Sequence, residues 1–236
     1  MPTLSEIKMK KRIKVNGIII ACAILGITCF PRLFLRQSES RYEYWAEAVG
    51  LALLLLGFLL RVSSRGYKSE LSSGGNALVK GGPYAAVRNP MYLGIFLSGV
   101  GLVLLLFQWW ALFAFLAFML IRYATLISKE EKVLKKNFGK EYCEYSHTVP
   151  RLFPRVATLK KRNIREYLPL KLSWFTRELN SFIPLLAVIA LVELWEAYQA
   201  GDYQEYLRKM ALFLIIIGIF FIGVRFLSRR HEKNTK

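Results

Sequence analysis

Long apolar stretches alternate with short polar segments along this chain, and six of them approach the length of a membrane span. A helix needs about 20 mostly apolar residues to cross the roughly 30 Å hydrocarbon core of a bilayer. The stretches that come close are 16–35, 44–62, 91–107, 109–127, 181–199 and 209–227. The pattern therefore predicts an all-α fold, a polytopic transmembrane helix bundle of about six spans.

The third and fourth stretches have almost nothing between them. Only Gln108 separates them, with Trp109 and Trp110 beside it and no charged residue. So short a connection predicts a tight helical hairpin. Its tip is expected at the membrane interface, where tryptophan is favoured.

Composition and charge narrow the class of protein further. The chain is 54% hydrophobic and carries a formal net charge of +18. On such an apolar chain, excess cations are typical of loops that meet anionic membrane lipids, so we expect lipid contacts and no nucleic acid. Three cysteines without a CxxC pair, and only two histidines, predict neither a disulfide framework nor a metal site.

The distribution of Lys and Arg predicts the orientation. Basic residues concentrate at both termini and around 61–88 and 122–180, whereas the connection between the last two stretches begins with the acidic residues Glu193, Glu196, Asp202 and Glu205. All basic segments fall on one side if both termini are cytoplasmic. We expect a prokaryotic inner membrane rather than the endoplasmic reticulum. The basic start, 1–14, reads as an uncleaved signal anchor rather than a removed signal peptide, because no small-x-small cleavage site follows it.

Three segments outside these stretches have patterns of their own. Residues 63–90 are rich in Gly and Ser and predict a loop with tight turns. Residues 128–147 predict a helix that continues the fourth span, with Ser128 as N-cap and Gly139 as its stop. Residues 155–180 mix cations with apolar side chains, which is typical of an interfacial amphipathic segment.

The first candidate constellation precedes the third stretch: Gly81-Gly82-Pro83-Tyr84, then Arg88-Asn89-Pro90-Met91-Tyr92. Asn89 can cap a helix whose first turn contains Pro90, leaving backbone N–H groups that attract an anion. Arg88 adds a permanent cation. A capped helix beside a cytoplasmic arginine explains the same residues equally well.

The second constellation follows the fourth stretch: Glu130-Glu131, then Phe138-Gly139-x-Glu141-Tyr142-x-x-Tyr145 and Val149-Pro150-Arg151. Adjacent glutamates on a helix point about 100° apart, so only one can face the bundle. A glutamate that faces the bundle near the membrane indicates function, because burying it without a partner is costly. Pairing with neighbouring lysines on a solvated face is the simpler explanation of the pair taken alone.

In this order and with a hairpin between them, the two constellations resemble the isoprenylcysteine carboxyl methyltransferases and the related phospholipid methyltransferases. The resemblance covers roughly 78–155. It implies a methyltransferase core there, between an N-terminal two-span region and loop (1–77) and a C-terminal part with a basic interfacial segment and two spans (156–236).

The resemblance also implies a cytosol-facing pocket for S-adenosylmethionine that opens toward the bilayer for a lipophilic or prenylated acceptor. By position, the cofactor site would include the following residues: Gly82, Tyr84, Asn89, Pro90, Tyr92, Glu130, Glu131, Tyr142 and Tyr145. Arg88 would orient the acceptor, and Arg88 and Glu130 are the catalytic candidates. For Tyr142 and Tyr145, aromatic packing is an equally good explanation.

The sequence departs from the family's pattern at three points. Asn89 stands where the carboxyl methyltransferases usually have histidine. The arginine expected about one turn before the paired glutamates is replaced by Leu126 and Ile127, and the nearest is Arg122. The last two spans lie outside the matched region. The first two departures leave the acceptor open.

Two acceptor classes and two other functions remain as alternatives. A prenylcysteine carboxylate, which we favour, is already ionised and needs Arg88 to hold it, whereas a lipid amine must lose a proton and makes Glu130 or Glu131 a candidate base. A nicotinamide-dependent membrane reductase of the sterol reductase kind is the rival enzyme. A membrane scaffold without nucleotide binding is the non-enzymatic alternative.

Overall fold

The computed structural model describes residues 29–36, 41–72, 76–155, 164–201 and 203–234. Within these ranges the chain is helical, and its one β-type pairing is an isolated antiparallel bridge between Leu35 and Phe107. We number the helices α1 (Pro31–Phe34), α2 (Arg41–Leu71), α3 (Pro83–Ala86), α4 (Pro90–Leu106), α5 (Trp109–Thr148), α6 (Ile164–Tyr167), α7 (Leu172–Ala200) and α8 (Tyr203–Asn234).

The predicted helical membrane bundle is confirmed. Among the described residues, four helices are long and apolar enough to cross a membrane: Tyr44–Leu71, Trp109–Thr148, Leu172–Gln199 and Tyr206–Ser228. They correspond to the second, fourth, fifth and sixth predicted spans. The third predicted span is α4, a shorter apolar helix of 17 residues. Most of the first, 16–35, lies outside the described residues.

Helix α2 is longer than its apolar stretch, so the loop predicted from residue 63 was placed too early. The helix continues to Leu71 because its polar side chains find partners. Ser63 donates to the carbonyl oxygen of Pro169 over 2.6 Å, and Ser64 donates to that of Leu60 over 2.5 Å. Both serines are fully buried, and bonded hydroxyls are tolerated there.

Helices α2 and α4 pack backbone to backbone through four glycines. A Cβ atom added at Gly57 would lie 2.5 Å from the carbonyl oxygen of Gly94, and one added at Gly101 would lie 2.4 Å from that of Gly50. Only glycine permits such an approach, as in other close helix pairs of membrane proteins. The contact fixes the start of α4, where the first constellation lies.

The predicted hairpin is confirmed, and its tip is held by the segment around α1. Helix α4 ends at Leu106 and α5 begins at Trp109. The backbone N–H of Gln108 donates to the carbonyl oxygen of Phe34 over 3.0 Å. Arg36, which is buried, donates to the carbonyl oxygen of Phe107 over 3.2 Å and lies over the Trp109 ring at 4.9 Å. Residues at the end of the predicted first span and just after it therefore hold the connection between α4 and α5.

Helix α7 packs on α2 through an aromatic core, and α8 packs on α7. Phe58 stacks on Phe182 with ring centroids 4.0 Å apart, and the ring of Trp174 occupies the space beside Gly66. The indole N–H of Trp174 donates to Glu70 over 2.7 Å. Of the predicted interfacial segment, residues from Leu172 onward belong to α7, and 156–163 lie outside the described residues.

Helix α5 carries the fourth span and continues beyond it, as predicted, but its internal landmarks differ. Ser128 is not an N-cap, because it lies inside the continuous helix and its hydroxyl donates to the carbonyl oxygen of Ala124 over 2.6 Å. Gly139 breaks the helix with φ 49° and ψ −117°, and helical geometry then resumes to Thr148. The predicted stop is therefore a kink.

We expect Gly139→Ala to destabilise the protein by roughly 1 to 3 kcal/mol, because this backbone conformation strains any residue with a Cβ atom. Space is not the cause, since nothing lies within 4 Å of the added carbon. Thermal unfolding in detergent measures the effect. Gly218→Ala, at an equally open position inside α8, is the matched control and should not lower stability. Equal melting temperatures for the two variants would contradict the assignment of strain to Gly139.

Candidate functional site

The first constellation forms a buried turn between α2 and α4. Gly82 has φ 56° and precedes α3, in which Pro83 is the first residue. Asn89 precedes α4, in which Pro90 is the first residue. Both prolines suit a helix start because their fixed φ is helical and the missing N–H would have no partner there. Tyr84 and Asn89 are buried in this turn.

Asn89 takes the N-cap position, but its side chain does not cap the helix. Its amide Nδ2 donates to the carbonyl oxygen of Arg151 over 2.9 Å, and the backbone N–H of Arg88 donates to that of Pro150 over 2.8 Å. The capping role predicted for the Asn89 side chain is therefore wrong. The residue ties the start of α4 to the chain that follows α5.

A network of ion pairs joins the two constellations. The guanidinium of Arg88 lies 3.2 Å from Glu131 Oε1, and Arg151 Nε lies 3.0 Å from Glu131 Oε2. The side chains of Arg88 and Glu131 are 17% and 16% exposed. Arg151 also reaches the hydroxyl of Ser128 over 3.2 Å. Hydrogen bonding to Glu131 raises the pKa of Arg151, although burial opposes the shift, so two charged arginines share one carboxylate.

Tyr84 connects three parts of the protein. Its hydroxyl donates to the carbonyl oxygen of Ser64 in α2 over 3.4 Å, and its own carbonyl oxygen accepts a hydrogen bond from the hydroxyl of Tyr145 in α5 over 2.7 Å. Burial, and secondarily the negative charge of Glu130, raises the pKa of Tyr84. Its hydroxyl therefore remains a protonated donor at neutral pH.

We expect Tyr145→Phe to lower the free energy of unfolding by about 1 to 2 kcal/mol. The ring is retained, but the buried carbonyl oxygen of Tyr84 loses its donor. Thermal or denaturant unfolding in detergent measures the loss. Tyr198→Phe is the control, because Tyr198 is 65% exposed. A Tyr145→Phe variant as stable as the control would mean that this hydrogen bond contributes nothing.

The two adjacent glutamates lie in different surroundings. Glu131 is mostly buried in the arginine network, whereas Glu130 is exposed, with the Tyr92 hydroxyl against its carboxylate. The Tyr92 ring packs on that of Tyr123, with centroids 5.3 Å apart. The prediction of one glutamate toward the bundle and one toward its surface describes this pair correctly. The residue that faces inward is Glu131.

Two hydrogen-bond donors in the network are buried and have no acceptor. They are the Nε of Arg88 and the hydroxyl of Tyr142, which lies against the Arg88 guanidinium. Buried polar groups are normally bonded, so an unmatched pair beside an ion-pair network indicates a place where a ligand with an acceptor oxygen fits. Tyr142 and Tyr145 pack edge to face, with centroids 6.2 Å apart, and their rings border this place.

The structure thus brings most of the ten predicted site residues to one end of the bundle. Gly82 is the exception. A Cβ atom added there would lie 3.0 Å from the ring of Tyr67 in α2, which is not one of the predicted site residues. The sequence prediction missed Arg151, Tyr123 and Ser64 as members of the site. Arg151 was visible in the motif Val149-Pro150-Arg151, but nothing in the local pattern showed that it returns to Glu131.

Fold and site together define an integral membrane protein of helices, with a charged, partly buried site at one end of the bundle. Residues 45–141 match the family model described as phospholipid methyltransferase. This match and the methyltransferase among the relatives support the resemblance of its motifs to the isoprenylcysteine and phospholipid methyltransferases.

Individual relatives come from plants and bacteria. The chain is 28% identical to Protein-S-isoprenylcysteine O-methyltransferase B of Arabidopsis thaliana, over 65% of this chain and 79% of the relative. It is 29% identical to the cobalt-zinc-cadmium resistance protein CzcN of Cupriavidus metallidurans, over 73% of this chain and 79% of the relative. No solved structure matches significantly. The described residues contain no group of three or more His, Cys, Asp or Glu side chains that could hold a metal ion.

Proposed function

We propose that this protein is an S-adenosylmethionine-dependent methyltransferase that acts on a lipophilic acceptor, preferentially the carboxylate of a prenylcysteine-like molecule. The observation that carries the proposal is the pair of buried donors without an acceptor, Arg88 Nε and the Tyr142 hydroxyl, beside Glu131. They lie in the segments whose motifs resemble the family's cofactor site. The similarity to the Arabidopsis methyltransferase supports the choice of acceptor.

The polar groups of S-adenosylmethionine fit the residues present. Its carboxylate would accept hydrogen bonds from Arg88 Nε and Tyr142, and its positive charges would lie toward Glu130 and Glu131. When bound, it supplies an electrophilic methyl group on a sulfonium. The chain's own residues bind and align the reactants, because an in-line displacement gains most from fixed geometry.

A carboxylate acceptor suits the surplus of positive charge in the network. Arg88 and Arg151 share the single carboxylate of Glu131, and the side chain of Arg151 remains 47% exposed. An ionised carboxylate needs no general base, so holding it in place is the remaining task. We infer that the Nη groups of these two arginines orient it, while Arg88 Nε serves the cofactor.

A lipid amine is the second candidate acceptor, and a separate observation favours it. Tyr92, Tyr123 and the exposed Glu130 form an aromatic and negatively charged surface, which suits a cation. An amine must lose its proton before it attacks, and Glu130 is placed at the surface to accept one. The name of the matched family model, phospholipid methyltransferase, agrees with this alternative.

The orientation and the membrane belong to the same proposal. We infer that both termini are cytoplasmic and that the site faces the cytosol, since the basic segments then lie on one side. The relative from Cupriavidus metallidurans is bacterial, which supports a prokaryotic inner membrane. Reporter fusions at each terminus test the orientation.

Calorimetry on the detergent-purified protein tests the cofactor. We expect micromolar binding of S-adenosylmethionine and of its demethylated product, weakened in Arg88→Ala and in Glu130→Ala. A nicotinamide dinucleotide is the control ligand. Absence of binding by a folded protein would overturn the proposal, and binding of the control instead would favour the reductase. A protein that binds neither nucleotide would favour the scaffold.

Acceptors are then compared with a radioactive methyl donor. We expect label to enter a farnesylcysteine derivative in a form that base hydrolyses, as a methyl ester does. Label in a lipid amine that resists base would establish the amine alternative instead. The Glu130→Gln variant, assayed at saturating methyl donor, separates the two further, because only the amine reaction needs a base at that position.

A further inference from the structure

A buried carboxylate on α7 pairs with two arginines of α2. Glu178 in α7 is 3% exposed. Its Oε1 lies 2.7 Å from Arg65 Nη1, and its Oε2 lies 3.4 Å from Arg61 Nη2. A buried carboxylate is costly unless it is paired, so Glu178 requires these guanidinium groups and in turn restrains them. Two cations share one anion, which leaves a net charge of +1.

The two guanidinium groups are restrained but not covered. The side chains of Arg61 and Arg65 are 31% and 55% exposed. They lie four residues apart on one helix, so they point to the same face. Arginine presents its donors in a fixed planar fork that matches the oxygens of a phosphate group. A phosphate group could therefore be held by both at once.

More cations and an apolar surface surround this pair. Lys68 and Arg177 are exposed, and Lys171 forms an ion pair with Glu70 over 2.6 Å. Along the edge where α2 ends and α7 begins, five cations thus accompany two anions. The apolar side chains of Leu71 and Leu172 are 54% and 42% exposed beside them. A ligand with both a phosphate group and an acyl chain matches this combination, whereas a free phosphate ion would leave the apolar part unused.

We propose that the Arg61–Arg65–Glu178 cluster between α2 and α7 binds the headgroup phosphate of an anionic phospholipid. Basic pockets between membrane helices on one side of a bilayer are suited to such lipids. The carboxylate of the cluster comes from α7, whereas the candidate methyl-transfer residues belong to 82–92 and to α5. The proposal therefore does not depend on the methyl acceptor or on the cofactor.

Native mass spectrometry of the full chain in detergent tests this binding, with phosphatidylglycerol and phosphatidylcholine titrated separately. We expect phosphatidylglycerol to bind more tightly. The triple variant Arg61→Gln, Arg65→Gln, Glu178→Gln should lose this preference, with affinity for phosphatidylglycerol falling roughly tenfold or more. Neutralising all three residues leaves no buried unpaired charge, so the variant is expected to fold.

Two further variants distinguish the effect of the two arginines on lipid binding from the effect of overall charge. Glu178→Gln alone keeps both arginines and removes the anion, so it should bind phosphatidylglycerol at least as well as the parent protein. The single variant Lys80→Gln lowers the net charge by one, as the triple variant does, at an exposed ion pair elsewhere and should change nothing. Equal binding of the two lipids by the parent protein, or full binding of phosphatidylglycerol by the triple variant, would overturn the proposal. A loss of affinity for phosphatidylglycerol in Glu178→Gln as large as that in the triple variant would also overturn the proposal.

Discussion

Glu131→Ala is expected to weaken binding of S-adenosylmethionine by roughly ten- to a hundredfold, more than any other change at the paired glutamates. The carboxylate of Glu131 holds Arg88 and Arg151 in place, and its removal leaves two cations repelling each other beside the proposed cofactor pocket. Titration calorimetry measures the change in Kd. Glu131→Gln keeps the size of the side chain and shows whether the charge is responsible.

The matched control for this prediction is Glu141→Ala. Glu141 also forms an ion pair, with Lys80 over 2.7 Å, but both side chains are about half exposed, at 51% and 48%. Exposed pairs contribute little, so Kd should stay within about twofold of the parent value. If Glu131→Ala bound the donor as tightly as Glu141→Ala does, the ion-pair network would have no part in donor binding. A larger loss in Glu130→Ala would assign the central role to Glu130.

Gly57→Leu is expected to prevent α2 and α4 from packing, so that no monodisperse folded protein is recovered. Even Gly57→Ala should cost roughly 1 to 3 kcal/mol and lower the melting temperature by roughly 2 to 12 °C. An added Cβ atom would lie 2.5 Å from both the carbonyl oxygen of Gly94 and the backbone nitrogen of Ser98. Backbone atoms cannot move aside as a flexible side chain can, so the helices must separate.

Size-exclusion chromatography and thermal unfolding in detergent measure this effect. Gly223→Ala is the control, because it is also inside a helix but has nothing within 4 Å of the added carbon. Separation of α4 from α2 should also displace Asn89 and Pro90, so donor affinity should fall together with stability in Gly57→Ala. A Gly57→Ala protein as stable as Gly223→Ala would contradict the close contact between these helices.

Much of the bundle could be predicted from apolar length alone, because a bilayer sets the length of each span. Helix limits were less predictable. The polar run after residue 62 predicted a loop, yet α2 continues to Leu71. Ser63 finds its acceptor at Pro169, more than a hundred residues away, and no local pattern contains that information. The N-cap predicted at Ser128 was also wrong, because α5 is continuous through that residue and no helix begins there.

The candidate site was predictable as a set of residues but not as a set of partners. The order of the motifs placed Arg88 and the two glutamates together, and the 100° turn between adjacent helical residues required that one of them face inward. Which one does so depends on the path of the chain after α5, which returns Arg151 to Glu131. The four glycines between α2 and α4 have the spacing Gly50, Gly57 and Gly94, Gly101, a sequence signal that a comparison of the two helices could have found.

The dependence of Glu131 on Arg151 has a consequence for biosynthesis. As the chain is inserted, Arg88 and Glu131 emerge before Arg151, and the hairpin of α4 and α5 can already lie in the membrane. Until Arg151, whose carbonyl oxygen also accepts the Asn89 amide, has left the ribosome, the proposed cofactor pocket lacks one side. We expect a nascent chain that ends within α5 to be inserted yet unable to retain a nucleotide, so that ligand binding appears only late in translation.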